Sequence, residues 1–136
     1  MKTKNIFAII IIVAASLTGC KKYEDGPAFS LRSKTARVAN TWIVESYTIN
    51  GVDYTSSLTN LSYSETYDKD GNYSYSSSVG SGSGKWVFQS DKEQIKRSGV
   101  SSQSSETLYI LRLKEREFWY YIIDGNDREE IHLKEN

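Results

Sequence analysis

The sequence predicts an all-β domain, an eight-stranded antiparallel up-and-down β-barrel preceded by a short helix. Three observations lead there. From Thr41 onward, apolar and polar residues alternate with a period of two, the pattern of strands with one buried face. Successive runs are separated by a few turn-forming residues, as in a meander of hairpins. The composition favours strands, with 10 Tyr, 3 Trp and 4 Phe against a single Pro. Eight short strands in a row remove their exposed edges by closing on themselves.

The chain begins differently. Lys2 and Lys4 precede an apolar run over 6–15, followed by the small residues Ser16, Thr18 and Gly19. The run is too short to span a bilayer, which takes about 20 residues. Its order of charge, apolar stretch and small residues is that of a secretory signal peptide. Residues 17–20, "LTGC", hold the only cysteine of the chain and resemble the lipobox of bacterial lipoproteins. That resemblance implies cleavage after residue 19 and lipid attachment at Cys20, with two or more acyl chains making a stable anchor. A lone thiol closes no disulfide within its chain, and one Cys with one His makes no metal site of ordinary spacing.

Without residues 1–19, 117 of the 136 residues remain, enough for one small domain. They carry 15 Lys and Arg against 17 Asp and Glu, a net charge of −2. With no basic excess, nucleic acid is not an expected partner. Residues 20–29 read as the lipidated cysteine and a polar tether, punctuated by Gly26-Pro27. The domain is expected over 30–136. Its first element is a helix within 30–40, with Ser30 as N-cap, Leu31, Thr35 and Val38 on one face, and Asn40 at its end.

Strands are expected near 41–49, 61–68, 72–78, 84–90, 93–97, 107–114, 117–124 and 129–135, with room for a short extra strand in "NGVDYTSSLTN". In "DKDGNY", a three-residue loop with Gly71 left-handed pairs Tyr67 with Tyr73 and Glu65 with Tyr75. The same segment copies the start of an EF-hand loop. Its sixth position is Tyr73 rather than Gly, and its twelfth is Val79 rather than Glu, so no calcium site is expected. "SSSVGSGSG" over 76–84 and "SGVSSQSSE" over 98–106 read as Ser/Gly-rich loops at one barrel end, framing a mouth.

Facing sets the last three strands. A turn at Glu115-Arg116 places Leu113 opposite Phe118, Leu111 opposite Tyr120 and Tyr109 opposite Ile122. A loop over 125–128 places Ile122 opposite Ile131 and Tyr120 opposite Leu133. One face of the three strands is then apolar. The reverse face would carry Leu108, Ile110, Trp119, Tyr121 and Ile123 with Arg112, His132 and Lys134, more apolar than a solvated sheet face. Either the helix lies on it, or Trp119, Tyr121 and Ile123 form a patch for a protein or glycan.

Catalysis finds little support. His132 stands mid-strand, no serine occupies a nucleophile elbow, and Glu129-Glu130 point to opposite faces of a strand. No enzyme activity and no cofactor are expected. The aromatic residues remain. Trp42, Tyr63, Tyr67, Tyr73, Tyr75, Trp86, Phe88, Tyr109 and Tyr120 are the candidates to line the barrel. They suit either a pocket for an amphipathic small molecule or a packed core in which each hydroxyl has a partner.

The segments "KYEDGPAFSLRSKTARVANTW", "YDKDGNYSY", "GKWVFQSDKEQI" and "FWYYIIDGNDREEIHL", in this order, resemble the lipocalin-like lipoproteins of Bacteroidota. Trp42 resembles the tryptophan that plugs one end of a lipocalin barrel, although Asn40-Thr41-Trp42 lacks the usual glycine. The resemblance implies a lipocalin-like barrel anchored in the cell envelope at the outer membrane. The function is expected from the residues instead: the aromatic lining points to non-catalytic binding or carriage of a small hydrophobic or amphipathic ligand, and the apolar outer face to a surface interaction module with a filled barrel as the alternative. Replacing Cys20 by Ala is expected to release the protein from membranes. Continued sedimentation of that variant with the membrane fraction would show that Cys20 is not the anchor.

Overall fold

Trp42 is where the chain turns from helix into barrel. In the computed structural model, which describes residues 31–99 and 105–136, its indole is fully buried. Its Nε1–H donates to the carbonyl of Val38 at 2.9 Å, and its ring packs on Phe118 with centroids 5.8 Å apart. Val38 ends α1 (Lys34–Val38). This helix is capped by Ser33 rather than Ser30: the Ser33 hydroxyl accepts from the Ala36 N–H at 3.1 Å. Leu31, expected on the apolar face, is 91% exposed.

The helix does not lie on the outer face of the last strands. Arg37 of α1 is buried and donates from Nη1 to the Leu113 carbonyl at 2.7 Å, so α1 closes the barrel end where the strand carrying Leu113 finishes. A five-residue helix has too small an apolar face to cover a sheet. Val38 alone is fully buried, and with Trp42 it stoppers that end.

Among the described residues nine strands form one antiparallel sheet: β1 (Thr41–Ile49), β2 (Val52–Asp53), β3 (Ser64–Tyr67), β4 (Asn72–Ser77), β5 (Gly80–Gln89), β6 (Gln94–Ser98), β7 (Glu106–Leu113), β8 (Glu117–Asp124) and β9 (Asp127–Glu135). Each of β3 to β8 pairs with the next, and β1 pairs with both β3 and β9. These eight strands close the expected barrel. The small β2 folds back on the upper part of β1. It leads into α2 (Thr55–Thr59), so the linker holds a strand and a helix before the chain enters β3 at Ser64.

The β3–β4 hairpin has the expected register, Tyr67 opposite Tyr73 and Glu65 opposite Tyr75. Gly71 takes a φ of 84°. Asp68 uses its carboxylate on the turn itself, accepting from the Asp70 and Asn72 N–H groups at 2.9 and 2.8 Å.

Three expectations are corrected. Residues 76–84 are not a loop: β4 and β5 pair out to Ser77 opposite Gly80, and only Ser78 and Val79 form the turn. Composition misled because Gly is disfavoured in strands. Here Gly82 stands opposite Tyr75, and a Cβ built on it would lie 2.5 Å from the Tyr75 ring. The missing side chain makes room for the ring. For the second Ser/Gly-rich segment, β6 ends at Ser98 and β7 starts at Glu106, while residues 100–104 lie outside the described residues.

The second correction is a register shift in the β7–β8 pair. Leu113 stands opposite Phe118 as expected, but the register shifts between Ile110 and Arg112. A bulge adds one residue and reverses the facing beyond it. Leu108 and Ile110 therefore point inward and are buried, while Tyr109 points outward opposite Tyr121. The third is the β8–β9 turn, two residues shorter than expected, with Asp124 opposite Asp127. A shift of two keeps every side chain on its face, so Phe118, Tyr120, Ile122, Ile131 and Leu133 remain inside.

The glycines of β5 provide a direct check. Gly82→Ala is expected to destabilise the domain by about 1–3 kcal/mol through the clash with Tyr75. Gly80→Ala meets nothing within 4 Å and should be neutral or slightly stabilising. Equal melting temperatures for the two variants would refute the packing described for Tyr75.

Candidate functional site

Two constellations concentrate chemistry, one inside the barrel and one on its wall. The inner one follows from strand parity. Tyr63, Glu65 and Tyr67 alternate toward the interior, as do Tyr73 and Tyr75 on β4 and Ile95 and Arg97 on β6. Glu65 is 1% exposed and Arg97 6%. They form an ion pair, with Arg97 Nη1 at 3.0 Å from Glu65 Oε1.

Tyrosine hydroxyls complete the shell. Tyr120 and Tyr63 donate to Glu65 Oε1 at 2.7 and 2.9 Å, and Tyr67 donates to Oε2 at 2.7 Å. Arg97 Nη1 in turn donates to the Tyr67 and Tyr73 hydroxyls at 3.0 and 2.9 Å. Its Nε donates to Glu106 Oε2 at 2.9 Å, and Nη2 reaches the same oxygen. The guanidinium also lies 4.6 Å from the Tyr73 ring centre. A buried pair is tolerable when its spare donors and acceptors are hydrogen-bonded in this way.

This arrangement locates most of the expected lining residues. Trp42, Tyr67, Tyr73, Trp86 and Tyr120 are buried and touch one another or Phe118, with Tyr67 against Tyr73, Trp86 and Phe118 at 4.9, 5.9 and 5.7 Å. Trp86 donates from Nε1 to the Asp68 carbonyl at 3.0 Å. Tyr63 and Tyr75, stacked at 6.0 Å, and Phe88 are half-buried at the margin of this core. Tyr109 belongs to the outer wall. Cys20 lies outside the described residues.

The outer constellation spans β7, β8 and β9. Trp119 is sandwiched, with the Arg112 guanidinium 3.5 Å from its ring centre and the His132 ring stacked on it at 3.9 Å and 5°. Tyr121 is flanked likewise by Tyr109, stacked at 4.8 Å, and by Arg128 at 3.8 Å. Glu130 joins the two stacks, bonded to His132 Nε2 at 2.8 Å and to Arg128 Nη2 at 3.0 Å. Partial burial would raise its pKa, but the hydrogen bonds from His132 and Arg128 outweigh that and hold it below the ordinary value. Ile123 is 54% exposed at the end of the same face.

Sequence reasoning placed Tyr63 and Tyr67 inside but passed over Glu65 between them, although the same parity puts it there. Arg97, two residues after Ile95, was legible by the same rule. Nothing in the sequence showed that the two would meet.

No protein-family model matches the chain, and no curated protein matches it. Among solved structures it is similar to the NMR structure of the protein from Bacteroides uniformis ATCC 8492, at 18% identity and a TM-score of 0.52, over 74% of this chain and 90% of that one. The likeness is one of fold. It agrees with the closed barrel and carries no activity or partner across.

Burial pushes the phenols of Tyr63, Tyr67, Tyr73 and Tyr120 above their ordinary range, and the Glu65 carboxylate pushes further while Arg97 opposes it. Tyrosine in an unfolded chain ionises near pH 10. Protons held more tightly in the folded state give stability that is fully present below about pH 10 and lost as pH rises above it, by about 1.4 kcal/mol per pH unit for each phenol. In an alkaline titration these tyrosines should ionise together with the loss of circular dichroism. Their ionisation at about pH 10 in a barrel that stays folded would contradict the burial of the network.

Proposed function

We propose that the protein is a non-catalytic lipoprotein of the cell envelope, anchored through Cys20 at the outer membrane, whose filled barrel presents its outer face to a protein or glycan. One observation supports this most strongly. The Glu65–Arg97 pair and its four tyrosine hydroxyls occupy space inside the barrel, where a ligand of a carrier barrel would sit. Removing one member to admit a ligand would leave the other as an uncompensated buried charge, at about 3–5 kcal/mol. The outer face of β7 to β9, by contrast, carries Trp, Tyr and Arg side chains, the residue types that dominate binding hot spots.

The second reading, carriage of a small hydrophobic or amphipathic ligand, has its own observation. A cleft of about 370 Å³ opens beside Tyr63 where β1 and β3 part company, lined by Ile43, Val44, Thr59, Ser62, Ser64 and Asn136. A ligand there would enter through the wall rather than the barrel axis.

Native mass spectrometry of the gently purified full chain separates the two. The bare mass of the protein, even after exposure to envelope lipid extract, is expected from a filled barrel. A discrete added mass that leaves on denaturation would favour the carrier and give the ligand class.

A further inference from the structure

We propose that the outer face around Trp119 binds an acidic polypeptide segment, and that protonation of His132 strengthens the binding. The inference rests on the surface-binding reading above and names its partner class and its regulation. Arg112, Lys114, Arg128 and Lys134 bring four cations to this face. Against them stand three carboxylates: Glu117, bonded to Arg112 at 3.1 Å and to Lys114 at 3.5 Å, Glu130 within the stacks, and the exposed Glu45 at the β1 bulge. The face is thus positive by one in a chain whose formal charge is zero. Adding a proton to His132 makes the excess two.

The surroundings of His132 define what that proton does. Trp119 covers one side of the ring. Glu130 and Lys134 flank it along β9, Ser46 stands opposite on β1 with Glu45 beside it, and Glu117 and Tyr121 flank Trp119 on β8. In the neutral ring one nitrogen donates and the other accepts. Nε2 lies 2.8 Å from a Glu130 oxygen, so it holds the proton and Nδ1 offers a lone pair, which repels a carboxylate. The second proton turns Nδ1 into a charged donor and sets a cation against the indole face, already faced by Arg112 on its other side. Histidine is the side chain suited to make this change between pH 5 and 8. Side chains of Asp or Glu keep their charge through most of that interval, so an acidic segment meets a stronger site as pH falls.

The test uses the full chain in non-ionic detergent micelles and a ten-residue aspartate peptide, followed by NMR at about pH 5.5 and about pH 7.5. We expect shifts confined to the Trp119 indole and the amides of β7 to β9, with binding about tenfold tighter at the lower pH, the worth of one charge-assisted hydrogen bond. His132→Gln keeps a donor for Glu130 and should bind equally at both pH values. A variant that retains the full pH difference, or equal binding by the natural chain at both values, would overturn the role of His132 while leaving the surface reading in place. No shift on this face at either pH, or shifts spread over every basic residue, would overturn the acidic partner. If native mass spectrometry also showed a bound ligand, the surface reading itself would fall.

Discussion

The barrel depends on a single electrostatic arrangement, the Glu65–Arg97 pair inside its tyrosine shell. A small barrel has little interior volume, and a charge there is costly unless fully coordinated. Here β3, β4, β6 and β8 each supply part of the coordination through Glu65 and Tyr67, Tyr73, Arg97 and Tyr120. The network therefore links strands that are not neighbours in the sheet. Aliphatic side chains of the same volume would fill the space with less penalty. Ionic coordination instead demands one register, because a slip of one residue in any of these strands would expose its polar group to the core or turn it to the wall.

Aromatic residues are divided between two tasks. Those fully inside pack edge-on or tilted around the ion pair, as Tyr67 does with Trp86 and Phe118, while Tyr63 and Tyr75 stack at the margin. Those outside stack face to face across strands, with guanidinium groups completing each pile. Cross-strand pairs of this kind stabilise a sheet on their own. Since both broad faces of Trp119 are already in contact with neighbours, a partner on the proposed surface-binding reading would meet the surrounding charges rather than a bare ring. On that reading the electrostatics of the outer face would matter more to recognition than its apolar area.

Much of this was legible from residue order. The period of two from Thr41, the Tyr67–Tyr73 hairpin and the closure into a barrel follow from alternation and turn chemistry, and the structure has all three. Tyr109 was placed wrongly because "TLYILRL" is apolar on both parities, so alternation cannot choose a face, and a bulge leaves no mark in such a run. The β5 glycines misled for the opposite reason: the role of Gly82 is set by a ring on another strand, which a local reading does not see. The buried pair was half legible, since parity places each partner inside but not against the other. The placement of α1 turned on Arg37 meeting Leu113, a contact between distant parts of the chain.

The pairing of β1 with β9 joins the beginning of the domain to its end, from Trp42 opposite Glu135 to Ile49 opposite Glu129. Every other pairing in the barrel connects strands adjacent in the chain or nearly so. During folding the hairpins can form early and locally, while this last seam must wait for the longest loop to close, which is the slow kind of step. Until then β1 and β9 both present open edges, the state in which strands of different molecules join. A chain cut short before Asp127 would keep the hairpins up to β8 but lose both pairings of β9, and would fail by association with its own kind rather than by simple unfolding.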